Sequence, residues 1–364
     1  MPTPDPTKTN VDASRTASEL LDRHLVTPYS NQVNVGVQQK LPWGMVFTSD
    51  FLYRQTDHEY ITLDVNHFAA AIGPVDPNPN LSTIPMIKSI GTSKYWGLNF
   101  RVERRFANGF GFSGTYVRSR FKAMSGDALG ITNGAYNNLN PVESYGPNGL
   151  DRTHRASFTA QWEVPGYKGD NWVGRMWLKG WKLGLISSFS SGPPLTVFVS
   201  NVSLTGSDPE QANLLDGAGF GAIGRTVGSV EELNQLITNW NSTRAGKLDK
   251  FDRTIPTLAL LPTDGSIHFG DSRISQDLRI TKTFKIGERV KLDWINEVFN
   301  LFNIANLTGH DTNTLLPTTA DCAGATCTGD EIRALGFLQP TNRAVQVFGY
   351  GGPRAFQFAL RVTF

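Results

Sequence analysis

Few residues of this 364-residue chain are spaced as catalytic groups usually are. His154 follows Asp151 and Arg152, and an imidazole near a carboxylate can serve in general acid–base catalysis. Serine, histidine and carboxylate do not, however, gather around a recognisable nucleophile motif. We therefore interpret His154 as a hydrogen-bonding residue where a loop enters a strand, and we predict that the chain is not an enzyme.

Metal-binding patterns are also incomplete in the sequence. Asp76, Asn78 and Asn80 alternate like the start of a calcium loop, but no glycine and no distal glutamate complete it. Cys322 and Cys327 are separated by four residues and lack a neighbouring third ligand, so we predict neither a zinc site nor any cofactor. In an oxidising compartment the two cysteines can instead close a small loop as a disulfide, with free thiols as the alternative.

The dominant pattern of the sequence is a period-two alternation of apolar and polar residues. It is clearest at the C-terminus, where one side of a predicted strand carries Phe356, Phe358, Leu360, Val362 and Phe364, a pattern typical of the closing strand of a transmembrane barrel. Eight earlier runs alternate in the same way, each of roughly ten to thirteen residues, which is close to what a tilted strand needs to cross a bilayer. We therefore predict an all-β fold, an antiparallel transmembrane β-barrel.

Composition and charge narrow the function classes. Only 18% of the residues are charged and the formal net charge is +2. This charge is too small to produce the positive electrostatic field that attracts nucleic acid. No stretch approaches the roughly 18 consecutive apolar residues of a membrane-spanning helix. Met1 to Pro6 lack the features of a secretory signal, so either the protein is cytoplasmic or the true beginning is missing.

The predicted connections alternate between short and long. The short ones are 41–44, 107–109, 165–180 and 286–288, and the long ones are about 56–93, 122–153, 192–272 and 302–353. Because bacterial outer-membrane barrels have short periplasmic turns and long outer loops, this order predicts a periplasmic C-terminus. The first and ninth strands then run in the same direction and cannot pair, so the predicted barrel is incomplete.

Short motifs along nearly the whole chain resemble those of a known family. In order they are Thr27–Ser30 before Asn34–Gln38, Tyr95–Leu98 before Glu103–Phe106, Phe112–Tyr116, Asp151–Arg155, Gly180–Leu183, Ser190–Val197 and Glu297–Asn303. Together with the C-terminal strand, this set resembles the C-terminal part of the barrel of Oar-like TonB-dependent receptors. These are large transporters of the outer membrane of Gram-negative-type bacteria.

The resemblance implies active import through a barrel of about 22 strands that is closed by a plug. It implies that TonB energises import through a short N-terminal box. The plug, the box and the earlier strands are not in this sequence, so we expect residues 31–364 to be the C-terminal portion of such a barrel and residues 1–30 the end of an outer loop. Such a fragment is not expected to transport alone.

The implied partners are outer-membrane lipid, the missing plug and strands, the TonB complex, the barrel assembly machinery and an unknown small ligand. Trp240, Phe251 and Phe269 lie in or near the longest loop and are weak predictions for ligand contact, since lone aromatics more often pack a loop. In the same loop, Ser229 to Glu232 fits a capping box and predicts a short helix. Two alternatives stay open: an outer-membrane barrel hydrolase and a soluble β-rich binding or adhesion domain.

Overall fold

One antiparallel sheet of long strands dominates the fold. A computed structural model describes residues 19–66, 84–124, 137–166, 168–169, 171–200, 202–205, 213–286, 289–310, 315, 327–345 and 351–364. The long strands are β2 (Tyr29–Leu41), β3 (Met45–Asp64), β4 (Pro85–Ala107), β5 (Phe110–Ala123), β7 (His154–Glu163), β8 (Trp181–Ser190), β11 (Arg273–Ile286), β12 (Val290–Phe299) and β15 (Ala355–Thr363). Each pairs antiparallel with the next in this order, which confirms the predicted all-β architecture.

The remaining elements are short and lie mostly in the connections. The short strands are β1 (Leu20–Leu21), β6 (Gly146–Pro147), β9 (Phe198–Val199), β10 (Asn213–Leu214), β13 (Leu307–His310) and β14 (Pro340–Arg343). The helices are α1 (Trp172–Leu178), α2 (Val230–Thr243) and α3 (Gly329–Ala334), with 3-10 turns at Pro42–Gly44 and Pro141–Ser144. No helix among the described residues is long and apolar enough to cross a membrane.

The predicted strand lengths were wrong for β3 and β4. These strands have 20 and 23 residues, because their pairing continues past the predicted ends as far as Asp64 opposite Pro85. The ladder is irregular near His58, whose backbone has a φ of 62°, and the register shifts on both sides of Glu59. A bulge of this kind bends and twists a strand without ending it, so the loop is 65–84 rather than 56–93.

The two faces of the sheet differ in chemistry, as the alternation predicted. One face, here called the apolar face, carries a row of rings across four strands: Phe47 is 6.5 Å from Phe100, Phe100 is 6.4 Å from Tyr116, and Tyr116 is 6.1 Å from His154. The other, the polar face, carries the ion pairs Arg101–Glu103, Lys182–Glu163 and Arg279–Glu297, at 2.6, 2.6 and 3.5 Å. The sheet therefore separates an apolar medium from a wet one.

Short and long connections alternate as predicted. The tightest of the short connections is the two-residue turn Asn108–Gly109 between β4 and β5. Its two residues have φ values of 54° and 80°, the left-handed pair required by the two-residue hairpins that match the twist of the strands. The connection between β7 and β8 differs from the prediction, because it contains α1. Asn171 caps this helix by accepting a hydrogen bond from Val173 N at 3.0 Å.

The sheet does not close on itself within the described residues. There, β15 pairs only with β12 and β2 only with β3, while β1 pairs in parallel with Met86 and Ile87 of β4. This agrees with the parity argument, since nine antiparallel strands leave the first and last in the same direction. The fold is therefore consistent with a partial barrel.

The two faces of β15 should respond differently to charge. Phe358 lies on the apolar face opposite Asn296, and its neighbour Gln357 lies on the polar face opposite Glu297. We expect Phe358→Lys to destabilise the protein in lipid vesicles by about 2–4 kcal/mol, because a lysine near the bilayer midplane loses its hydration. The matched control, Gln357→Lys, should be close to neutral. Urea unfolding in vesicles measures both, and equal effects would contradict the assignment of the faces.

Candidate functional site

Two long connections fold together into one unit, called here the loop domain (described residues of 191–272 and 300–354). Its core is continuous across both connections: Leu195, Val197, Val199, Val202, Leu215, Ala218, Ala222, Ile223, Val227, Leu233, Ile237, Trp240, Ile255, Leu258, Leu261, Ile267, Leu315, Ile332, Phe337 and Leu338. A buried core of this size makes the loop domain a folded structure with its own hydrophobic stabilisation. This core was not predicted from the sequence.

Helix α2 supplies the centre of the core, and its prediction from sequence is confirmed. Ser229 Oγ accepts a hydrogen bond from Glu232 N at 3.3 Å, while the Glu232 carboxylate accepts one from Gly228 N at 2.6 Å. Leu233 and Ile237, which lie about one helical turn apart, are fully buried. Helix α3, which was not predicted, has a full capping box formed by Thr328 and Glu331.

The predicted ligand-contact aromatics have different environments. Trp240 has no exposed surface and fills the middle of the core, so it cannot touch a ligand while the loop domain is folded. Phe269 packs against the same core, and the ring of Phe251 lies 5.6 Å from the Arg253 guanidinium. Both are half-buried, so ligand contact through Phe251 and Phe269 stays a prediction.

A buried ion pair ties the loop domain to the long-loop end of the sheet. Arg225 Nε lies 2.6 Å from Asp151 Oδ2; the Asp151 side chain is buried and that of Arg225 is 11% exposed. Arg225 also donates to the carbonyls of Asp151 and Gly192 at 3.1 Å, while Asp151 Oδ1 accepts from Phe121 N at 2.7 Å. We call this arrangement the rim clamp (Phe121, Asp151, Gly192 and Arg225). The motif that begins at Asp151 therefore has a structural role. Its pairing with Arg225 was not predicted from the sequence.

A second junction is made by asparagines where β12 ends. Asn300 has a φ of 48°, its N–H donates to Asp277 Oδ1, and its side chain donates to the carbonyls of Ile304 and Gly352. Asn306 pairs with both backbone groups of Ile274 and donates to Gly351 O at 2.7 Å. Both asparagines are buried and satisfy backbone groups that lie beyond the strand ladder. The motif that ends at Asn303 therefore directs the chain from the sheet into the loop domain.

The Asp249 carboxylate holds a tight turn inside the loop domain. It accepts hydrogen bonds from the backbone N–H groups of Ser203, Arg253 and Phe251 at 3.0, 2.9 and 2.8 Å, and from Arg253 Nε at 2.8 Å. Burial alone would raise the pKa of Asp249, but these donors outweigh it and hold the pKa below its ordinary value. The charged carboxylate therefore stabilises the folded turn.

Among the described residues, the structure places the His154 ring beside Tyr116 and not in a catalytic arrangement. Its Nδ1 lies 2.7 Å from the Tyr116 hydroxyl on the apolar face. His268 and His310 instead share the Asp271 carboxylate, at 3.0 and 3.2 Å, at the base of the loop domain. Among the described residues no group of three or more histidines, cysteines or carboxylates is placed to hold a metal ion.

Two sequence predictions fall on residues outside those described. Asp76, Asn78 and Asn80 all lie in the undescribed range 67–83. Cys322 lies outside the described residues as well, whereas Cys327 packs against the loop-domain core. The disulfide between Cys322 and Cys327 therefore stays a prediction.

A groove of about 510 Å³ crosses the sheet and is lined by residues of both parities, with Phe106, Phe112, Leu185 and Leu278 among those of the apolar face. Its polar-face lining comes from five neighbouring strands: Ser113, Thr159, Gln161, Ile186, Asp277, Arg279, Glu297 and Phe299. Carboxylates, a guanidinium, hydroxyls and an amide are thus combined with two apolar side chains. This mixture suits a polar solute or a protein surface that fills the lumen.

Breaking the rim clamp should cost far more than breaking an exposed pair. We expect Arg225→Ala to lower the free energy of unfolding by about 3–5 kcal/mol, because the Asp151 carboxylate is left buried without its partner. The matched control is Arg244→Ala, which removes a pair with Asp216 at 2.8 Å whose side chains are 43% and 29% exposed. That change should cost below about 1 kcal/mol in urea unfolding. A cost for Arg225→Ala as small as that of the control would contradict the structural role of the rim clamp.

The loop domain should lose stability in acid through Asp249. Because its pKa is lowered on folding, its contribution is present above the ordinary carboxyl pKa and is lost as the pH falls through the folded-state value. We expect hydrogen exchange of the 240–261 backbone to accelerate over that window. Asp249→Asn should accelerate exchange at neutral pH and flatten the pH dependence. A pH profile unchanged by the substitution would contradict this role.

Comparison with known proteins places the chain among outer-membrane proteins. The family described as outer membrane beta barrel domain matches residues 1–339. A comparison with curated protein sequences found no match. One similar solved structure is the outer membrane transporter YddB from Escherichia coli, at 11% identity and a TM-score of 0.47, over 96% of this chain and 34% of that one.

A second is P. aeruginosa FpvA bound to a heterologous pyoverdine with iron, at 9% identity and a TM-score of 0.39, over 92% of this chain and 27% of that one. The chain thus spans about a third of the YddB chain and about a quarter of the FpvA chain. The family match covers most of the sequence and agrees with the antiparallel sheet and its two unlike faces. The chain therefore belongs to the outer membrane beta-barrel domain family.

Proposed function

We propose that this chain is the C-terminal barrel portion of an Oar-like TonB-dependent receptor and takes part in ligand binding and energised import. The main support is the groove across the sheet, where Arg279, Asp277 and Glu297 stand on the side of the sheet opposite the exposed aromatic rings. In a transporter barrel that side lines the lumen and contacts the plug or the passing solute.

The proposal includes an orientation. The long connections lie on the cell exterior and the short ones in the periplasm, as is usual for outer-membrane barrels. The loop domain then faces the medium, where a ligand first meets the receptor. In this proposal the transporter is completed by the plug, the remaining strands and the TonB complex. Further strands pair with the open edges of β2 and β15.

The described geometry favours this proposal over a barrel hydrolase. The hydrolase hypothesis needs a nucleophile or an activated water beside a base, and His154 was its strongest residue. The hydrogen bond between the Tyr116 hydroxyl and His154 Nδ1 lies on the apolar face, away from the groove and from the solvent in the lumen. We therefore assign His154 a role in fixing the end of β7.

Uptake in the bacterium that carries this gene provides the test. Cells lacking the gene should lose uptake of one class in a panel of labelled iron chelates, oligosaccharides and short peptides, and cells lacking TonB should lose the same class. Arg279→Glu should reduce that uptake severalfold at an unchanged surface level, because it reverses a charge in the groove. The matched control Lys182→Glu alters the same face outside the groove and should transport normally.

Two outcomes would contradict the proposal. Uptake that depends on the gene but not on TonB would indicate a passive pore. Unchanged uptake of the whole panel, combined with the loss of a hydrolytic activity from the outer membrane, would indicate the hydrolase.

A further inference from the structure

Helix α1 lies against the apolar face of the sheet and not beneath its polar face. The Trp177 ring meets the Phe284 ring edge-on, with 6.0 Å between centroids, and Trp181 Nε1 donates to Trp177 O at 2.8 Å. Phe284 belongs to the apolar face, since it is paired with Leu292 directly opposite Val362. The connection between β7 and β8 is thus folded back onto the side of the sheet that meets lipid.

A buried lysine fixes the helix in this position. Lys282 lies on the apolar face opposite Trp181 and Trp294, yet its side chain has no exposed surface. Its Nζ donates to the carbonyls of Trp177 and Lys179 and lies 5.3 and 5.1 Å from the rings of Trp181 and Phe284. The last carbonyls of a helix lack partners within the helix and attract cations, and aromatic faces do the same. These contacts account for a charged side chain among the aromatic rings of Trp181, Phe284 and Trp294 on this part of the apolar face.

The outer side of the same helix is apolar and uncovered within the part of the chain that the structure describes. Trp172 is 69% exposed, and Val173, Met176, Trp177 and Leu178 are between 42% and 56% exposed. In water so dense an apolar surface is unfavourable. Tryptophan and leucine at the end of a lipid-facing surface are typical of helices that lie in the membrane interface.

We propose that α1 is an interfacial anchor whose exposed side is embedded in the acyl–headgroup boundary of the periplasmic leaflet. The occupant is phospholipid, because this surface continues the apolar face that the barrel already presents to lipid. The inference rests on the orientation in the proposed function. Lys282 is the positioning residue, since it connects the C-terminus of α1 to β11.

Site-specific fluorescence tests the anchor in the full-length chain, reconstituted in vesicles of phosphatidylethanolamine and phosphatidylglycerol. A polarity-sensitive dye is attached to Val173→Cys, with both native cysteines replaced by serine. We expect strong quenching by spin-labelled lipid and little by iodide. The matched control is Leu248→Cys, an apolar residue of the loop domain that is 61% exposed, and its dye should show the reverse pattern. Lys282→Met should release the helix and shift the Val173 dye severalfold towards iodide quenching.

A third label separates failure of this inference from failure of the barrel assignment. A dye at Phe358→Cys reports whether the apolar face itself is in lipid and whether the Lys282→Met variant is still folded. If the Phe358 dye is quenched by lipid while the Val173 dye is quenched by iodide, the anchor is disproved and the barrel stands. If the Val173 dye is shielded from both quenchers, protein covers α1 and the lipid assignment is overturned. If neither the Val173 dye nor the Phe358 dye is quenched by lipid, both the anchor and the proposed function are disproved.

Discussion

The structure depends on one constraint: a backbone that crosses hydrocarbon must satisfy every N–H and C=O group within the protein. Antiparallel pairing achieves this for seven of the nine long strands, from β3 to β12, because each has a neighbour on both sides. Strands β2 and β15 have one unpaired edge each within the described residues. The pairing of β3 with β4 continues beyond the irregular register near His58, as far as Asp64 opposite Pro85. Because of the same constraint, a closed barrel requires further strands to pair with the edges of β2 and β15.

Beyond the paired strands, polar side chains provide the hydrogen bonds that backbone groups receive from neighbouring strands inside the sheet. The Asn300 side chain binds the carbonyls of Ile304 and Gly352 in the connection that follows β12, and Asn306 binds both backbone groups of Ile274 at the start of β11. The rim clamp binds backbone groups at the ends of β5 and β8. Since these groups are buried and hydrogen-bonded, they position the loop domain more rigidly than exposed ion pairs could. The loop domain then stabilises itself through a core centred on Trp240. Loops of this length thus become ordered because apolar residues from two of them share one interior.

Sequence reasoning succeeded where a residue's environment repeats with a fixed period. Phe356, Phe358 and Leu360 were assigned to the correct face because alternation extends over a whole strand, and Ser229 predicted a helix because capping is local. It failed where the deciding partner is remote in the chain. Arg225 binds Asp151, which is 74 residues away, and Lys282 binds Trp177, which is 105 residues away. Nothing in either neighbourhood marks such a contact. Helix α1 was missed despite its Asn171 cap, because the expectation of a short hairpin turn hid the helical spacing of Trp172, Met176 and Trp177.

The length of the β3–β4 hairpin has a consequence for the cell surface. A strand of 23 residues is about 75 Å long at the ordinary rise per residue. Even at a tilt of about 40°, it spans more than about 50 Å along the membrane normal, roughly twice the height of the apolar band of an outer-membrane barrel. The short turn at Asn108–Gly109 fixes one end of the hairpin near one boundary of that band. In the proposed orientation, the far end of the hairpin therefore extends well beyond the outer boundary of the apolar band, with its strands still paired as far as Asp64 opposite Pro85.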